Sequence, residues 1–173
     1  MRIAKSHVKL FIFLWLASFC CFVATPVAAK SCQPWPEVLK NMPLEKGKFV
    51  SNSGLVIPVS FRLANTSERL AQGFQFVCAE TINTTNILFD FSRPVVPSFH
   101  MNNVVAPLDI AFINELGEII NIYLMKTYRL LEIDKPTYRP SKPALYAFEA
   151  RAGFFSQHKI KVGDKFFTQF QQK

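Results

Sequence analysis

Phe99 to Met125 reads FHMNNVVAPLDIAFINELGEIINIYLM, and the pattern of this stretch decides the fold. Pro107 sets the entry to an extended segment in which Leu108, Ile110 and Phe112 face one way and Asp109, Ala111 and Ile113 the other, because successive strand side chains alternate in direction. Both sets are largely apolar, so a central strand covered on both faces is expected. Asn114-Glu115-Leu116-Gly117 offers a turn with a glycine free to take positive φ, and Ile119 to Met125 returns, predicting a β-hairpin. Just ahead of it, His100-Met101-Asn102-Asn103 forms a polar knot.

Working outward, Leu55 to Leu63 alternates Ile57, Val59, Phe61 and Leu63 with Pro58, Ser60 and Arg62, a half-buried strand whose proline points to an edge or a bulge. Asn65-Thr66-Ser67-Glu68 reads as a helix start, and Leu70, Phe74 and Val77 recur near helical spacing, so a short helix broken or bent at Gly73 is expected. Thr81 to Asn86 reads as a polar turn, and Ile87 to Phe91 as a strand. On the other side, Thr127 to Pro143 carries three prolines and reads as a surface loop able to cross a binding face. Ala144 to Ala150 predicts a strand with Leu145, Ala147 and Glu149 on one face and Tyr146 and Phe148 on the other. One helical turn follows in Arg151 to His158, then two short strands joined at Gly163-Asp164. The sum is a mainly β protein, a small barrel or rolled sheet of six to eight strands with one or two short helices.

The N-terminus follows a secretory pattern over residues 1–29: basic Arg2, Lys5 and Lys9, an apolar run from Leu10 to Val23, then small residues ending at Ala29. That run would span only about 21 Å as a helix, short of the roughly 30 Å hydrocarbon core, so no stable membrane span is expected after cleavage. A Pro-rich leader, residues 30–54, precedes a single mainly-β domain, 55–173; within the leader Leu44 to Val50 reads as a short strand and Trp35 as an anchor that buries its ring. Removing the signal takes away three basic residues and no acidic one, lowering the formal charge from +8 to +5. The basic residues are scattered without a stripe, so nucleic acid is not an expected partner, whereas a secreted or periplasmic location leaves a small molecule or an envelope component. Cys32 and Cys78 are the two cysteines left after processing, a candidate disulfide in an oxidising compartment, with free thiols as the alternative.

No motif dictates a reaction: there is no Gly-x-Ser-x-Gly elbow, phosphate loop, Cys-x2-Cys or His-Glu-x2-His, and neither a cofactor nor a metal is implied. What the residues do match is a string: Arg69-x3-Gly73, Leu88-Phe89-x-Phe91, Phe99-x-Met101-x-Asn103-x3-Pro107-Leu108-Asp109-Ile110-x-Phe112-Ile113-x3-Gly117, then Glu149 and Gly163-Asp164. Over about Ile57 to Phe167 this resembles the domain of unknown function 192 family. The resemblance implies a compact, mainly β fold, often exported behind a signal peptide, with no established activity. The sequence departs from the family pattern at His100, where Trp is usual, at Asn102, at Val104, near Gln75 and at Asn86-Ile87.

Five polar residues are candidates for ligand binding or for bracing the knot: Arg69, His100, Asn103, Asp109 and Glu149. Asp109, inside an apolar strand, reads either as a ligand or base in a pocket with Asn103 and His100, or as a brace that accepts from the Asn102-Asn103 turn or pairs with Arg69. Beside Met101, His100 has the donor types for a soft metal, but adjacent strand residues point apart. Glu149 is expected to be solvated or braced, and Asp164 to hold its turn. These features support an exported binding module. The alternative is an envelope hydrolase using Asp109 with Glu149 or His100, a reading that requires two of those groups to converge within about 10 Å.

Overall fold

The structure, a computed structural model, describes residues 32–128 and 133–169. The expected secretory signal lies outside them. In chain order the elements are α1 (Glu37–Lys40), β1 (Leu44–Val50), β2 (Val56–Ala64), α2 (Ser67–Gln72), α3 (Ala79–Thr84), β3 (Ile87–Val95), β4 (Leu108–Ile113), β5 (Ile119–Met125), β6 (Ala144–Arg151), α4 (Phe154–Gln157) and β7 (Lys165–Thr168). The strands form one seven-stranded sheet in the order β5-β4-β6-β3-β2-β1-β7. All neighbours are antiparallel except β2 and β3, which run parallel across the α2–α3 crossover.

The hairpin expected around Gly117 is β4–β5, with Asp109 opposite Leu124 and Ala111 opposite Ile122. Asn114 closes it by accepting on Oδ1 from the backbone of Leu116 and Glu118 at 3.0 and 2.9 Å, while Gly117 takes φ +75°. Between β5 and β6, β4 is buried at all six positions, as its two apolar faces require.

The sheet rolls without closing. On the concave face Phe49 of β1 touches Phe148 of β6, three strands away in the order, with ring centroids 5.1 Å apart, and Phe61, Phe155 and Phe166 complete an aromatic core. Among the described residues the two sheet edges meet near the β4–β5 turn, where Ile119 N donates to Asp164 O and Phe166 N to Gly117 O. The convex face is covered by the helices and the knot: Leu39, Met42, Phe74, Val77, Ile82, Met101 and Val104 pack on Ile87, Phe89, Ile110 and Phe112.

Several expectations change. There are four short helices among the described residues, because Thr81 to Asn86 is mostly α3: Ile82 is fully buried, and the Cys78 carbonyl accepts from Thr81 and Ile82 at 3.1 Å, so packing outweighs the polar text. Ile160 to Val162 is not a strand, since its amides serve the turn, Ile160 N to Phe155 O and Lys161 N to Asp164 Oδ2. The span 30–54 is not irregular throughout: it supplies α1 and β1, and β1 lies between β2 and β7 in the sheet. Trp35 is 44 % exposed and instead lies under the Arg62 guanidinium, 5.3 Å from the ring. Pro58 is tolerated because β3 pairs β2 only from Arg62 onward, leaving the proline half of β2 with β1 as its sole sheet neighbour.

Candidate functional site

Glu149 sits on β6 between Ile87 of β3 and Ile110 of β4, both fully buried, on the convex apolar face. It is 4 % exposed, and its Oε2 has no hydrogen-bond partner among the described residues. Burial pushes its carboxyl from the ordinary 4.5 to about 8, because the ionised form has lost its water, so the group is a neutral acid at pH 7. The expectation of a solvated or braced carboxylate is corrected: strand alternation placed the residue on its face, but the helices cover that face.

Glu149 contributes to the wall of a cavity of about 300 Å³ between the end of α2 and the sheet. Phe89, Phe91, Phe99 and Val104 supply the apolar wall, with Gln72, Gln75, Ser98 and His100 as its polar members. Gly73, at φ +46°, lies above the carboxyl: a Cβ there would stand 3.4 Å from the Phe89 ring and 3.8 Å from Glu149 Oε2. Its missing side chain keeps that approach open, and its backbone conformation favours glycine. Phe99 meets Phe89 edge-on at 5.0 Å and exchanges backbone hydrogen bonds of 2.9 Å with Tyr138, so the Pro-rich loop braces the cavity wall from behind.

The knot belongs to the same region. Asn103 takes φ +59°, accepts from Phe76 N at 2.7 Å on its carbonyl, and donates through Nδ2 to Gln75 Oε1 at 3.2 Å. Gln75 donates to Ala71 O, and Gln72 to Gln75 O. The knot therefore fixes the loop after α2 and with it the cavity rim. His100 is exposed at that rim, its Nδ1 accepting from Asn102 N at 3.3 Å, whereas Met101 is buried in the core, so the pair does not converge on one ion. No group of three potential metal ligands occurs among the described residues.

The other candidates stand elsewhere. Arg69 donates to Asn65 Oδ1 and Asn41 O, tying the start of α2 to the end of α1, and does not pair with Asp109. Asp109 faces the concave side, the opposite face from Glu149, and its Oδ2 accepts from Phe155 N at 3.3 Å, anchoring α4 rather than the Asn102-Asn103 turn. It borders a separate cavity of about 660 Å³ with Ile122, Leu124, Phe155, Lys159 and Ile160. Asp109 joins neither Glu149 nor His100, because the sheet separates them, whereas Glu149 and His100 line the same cavity. Asp164 braces its turn by accepting from Asn52 N and Lys161 N at 2.9 and 2.8 Å. Cys32 and Cys78 are joined, so the candidate disulfide is formed and the free-thiol alternative is not.

Asp109→Ala leaves the buried Phe155 amide unpaired and is expected to lower stability by about 1–3 kcal/mol, checked by denaturant melts. The convex cavity should be unaffected, since the residue lies across the sheet.

Sequence reasoning missed Gln72, Gln75, Phe91 and Ser98 as neighbours of one space. The signal for Glu149 was legible: a carboxylate alternating with Leu145 and Ala147 on a strand of otherwise apolar residues. The signal for the α2 loop was not, because its approach to β6 depends on tertiary packing.

Comparison with known proteins agrees with this architecture. The model of the domain of unknown function 192 family, described as uncharacterized ACR, matches residues 49–167. A crystal structure of a Sinorhizobium meliloti 1021 protein, proposed there to be a transcription regulator, superposes with a TM-score of 0.66 at 22% identity, covering 73% of this chain and 95% of that one. A protein of unknown function from Novosphingobium aromaticivorans DSM 12444 superposes with a TM-score of 0.63 at 27% identity, covering 83% of this chain and 98% of that one. No curated protein matches the chain.

Proposed function

This chain belongs to the domain of unknown function 192 family, and on that premise we propose that it is an exported binding module for a small molecule held in the convex cavity between α2 and β6. The observation that carries the reading is Glu149: a buried polar group without a partner is costly, and its place in the wall of a cavity offers that partner in a ligand. The cavity has the make-up of a ligand site, an aromatic wall with a few polar groups at fixed positions, and about 300 Å³ suits a small molecule. His100 and Val104, two of the places where the sequence departs from the family pattern, line it, as does Gln75 near a third, which supports a lining particular to this member. Export is supported by the secretory pattern of residues 1–29 and by the Cys32–Cys78 bond, which suits an oxidising compartment.

Among the described lining residues Glu149 is the only carboxyl group, so the two-carboxylate geometry of glycoside cleavage is not what the cavity offers. The test is a melting-temperature screen with sugars, cell-wall peptide fragments, amino acids and amines on the wild-type chain and on Ser98→Trp, which fills the mouth from an exposed wall position. A compound that raises the wild-type melting temperature and leaves Ser98→Trp unmoved supports the reading. Absence of any such compound, or equal stabilisation of both proteins, overturns it.

A further inference from the structure

The described lining of the cavity holds one carboxyl group and no lysine or arginine. β3 and β4 present Ile87 and Ile110 to Glu149, the end of α2 presents Gly73, and α3 turns Ile82 inward while Glu80 is exposed. No lysine or arginine lines the space among the described residues, and the nearby cation on α2, Arg69, is held by Asn65 and Asn41. Gln72 and Gln75, the side-chain amides at the rim, are already hydrogen-bonded within the loop. The unmet group is thus one carboxyl oxygen at a wall built from the rings of Phe89, Phe91 and Phe99.

Resting on the binding reading above, we infer that the ligand is an organic cation, an ammonium or guanidinium carried on an apolar body, whose head pairs with Glu149 while its body lies against the three phenylalanines. A carboxylate accepts a charge-assisted hydrogen bond from such a head, and aromatic ring faces attract cations once water is excluded. Neither interaction is served by a lysine or arginine of the cavity lining among the described residues. An anionic ligand would meet an acidic group with no counter-charge, and a neutral ligand would gain no charge-assisted hydrogen bond from it.

The protonation balance makes the inference testable. At neutral pH the empty site holds the neutral acid, so an arriving ammonium displaces the carboxyl proton to the buffer, one proton released per ligand bound. Affinity should therefore rise about tenfold per pH unit between pH 6 and about 8, then level until the ammonium itself deprotonates near roughly 10. His100 is the other titratable side chain of the lining, so the profile is also recorded in His100→Asn to isolate the contribution of Glu149.

The probes are phenethylamine and its neutral counterpart 2-phenylethanol, titrated calorimetrically in two buffers of different ionisation enthalpy, on the wild type, Glu149→Gln, Glu149→Met and Asp109→Ala. The expected result is binding of the amine with release of one proton, a tenfold or greater loss in both Glu149 variants, and retention in Asp109→Ala; thermal melts confirm that each variant is folded. If the alcohol binds as tightly as the amine, or if amine affinity is flat or falls from pH 6 to 8, the cation inference is overturned while the binding reading stands. Failure of both probes likewise overturns it. If the wider compound screen also finds no ligand, the binding reading falls with it.

Discussion

Raising the pH from 5 to 8 is expected to remove about 4 kcal/mol of stability from the wild-type chain through one residue, Glu149. Its carboxyl is held at about 8 in the folded state against an ordinary 4.5. Between those values the unfolded chain has released the proton and the folded chain retains it, so the folded state binds more protons and stability falls as pH rises, by at most about 1.4 kcal/mol per unit. The contribution is intact below about 4.5, declines through the interval, and is flat above about 8. Natural domains have only about 5–15 kcal/mol in reserve, so this is a large share. Urea melts of the wild type and Glu149→Gln at both pH values isolate the residue, because other titrating groups cancel in the difference. Parallel pH profiles would mean that the carboxyl is not buried as described. Glu149→Met, which replaces an unpartnered acid with an apolar side chain of similar length, should exceed the wild type in stability at pH 8 and so show that the acid is kept at a structural cost.

Replacing Cys32 and Cys78 by serine is the second large expected effect. The bond closes a loop with a sequence separation of 46, for which the chain-entropy relation gives about 4 kcal/mol of lost stability when it is removed. The loss has a specific structural seat. Gln33 N donates to Phe76 O and Cys78 N to Gln33 O, so the bond holds the N-terminal segment beside the loop that ends at α3. The same experiment addresses the compartment: protein recovered from an oxidising compartment should show no reactive thiol at positions 32 and 78 when unfolded, and protein made in a reducing cytosol should show both and match the serine variant in stability. Retention of the wild-type melting temperature in the double serine variant would remove the bond as a stabilising element.

Local pattern carried much of the fold. Alternation in Leu108 to Ile113, the Asn114–Gly117 turn and the apolar return from Ile119 determine a hairpin because they depend on neighbours within a few residues. Elements whose form depends on distant contacts were not legible. Thr81 to Asn86 looks like a turn until Ile82 finds its place in the convex core as part of α3, and Ile160–Val162 looks like a strand until Asp164 and Phe155 take its amides. For the site, the polar residues were visible but their grouping was not. Asp109 and Glu149 read as possible partners, yet the register places Asp109 opposite Ala150 and Glu149 opposite Ile110, so the two carboxyls point to opposite faces of the sheet.

The sequence by itself determined the strands, the hairpin, the family and the identity of the polar residues, since these rest on side-chain period, turn chemistry and a long specific string of residues. Only the tertiary structure decided that Asn103 builds a rim, that Asp109 anchors α4, and that Glu149 is the unpartnered group at a cavity. The reason is physical: burial and pairing are properties of the packed chain, set by which face the helices cover.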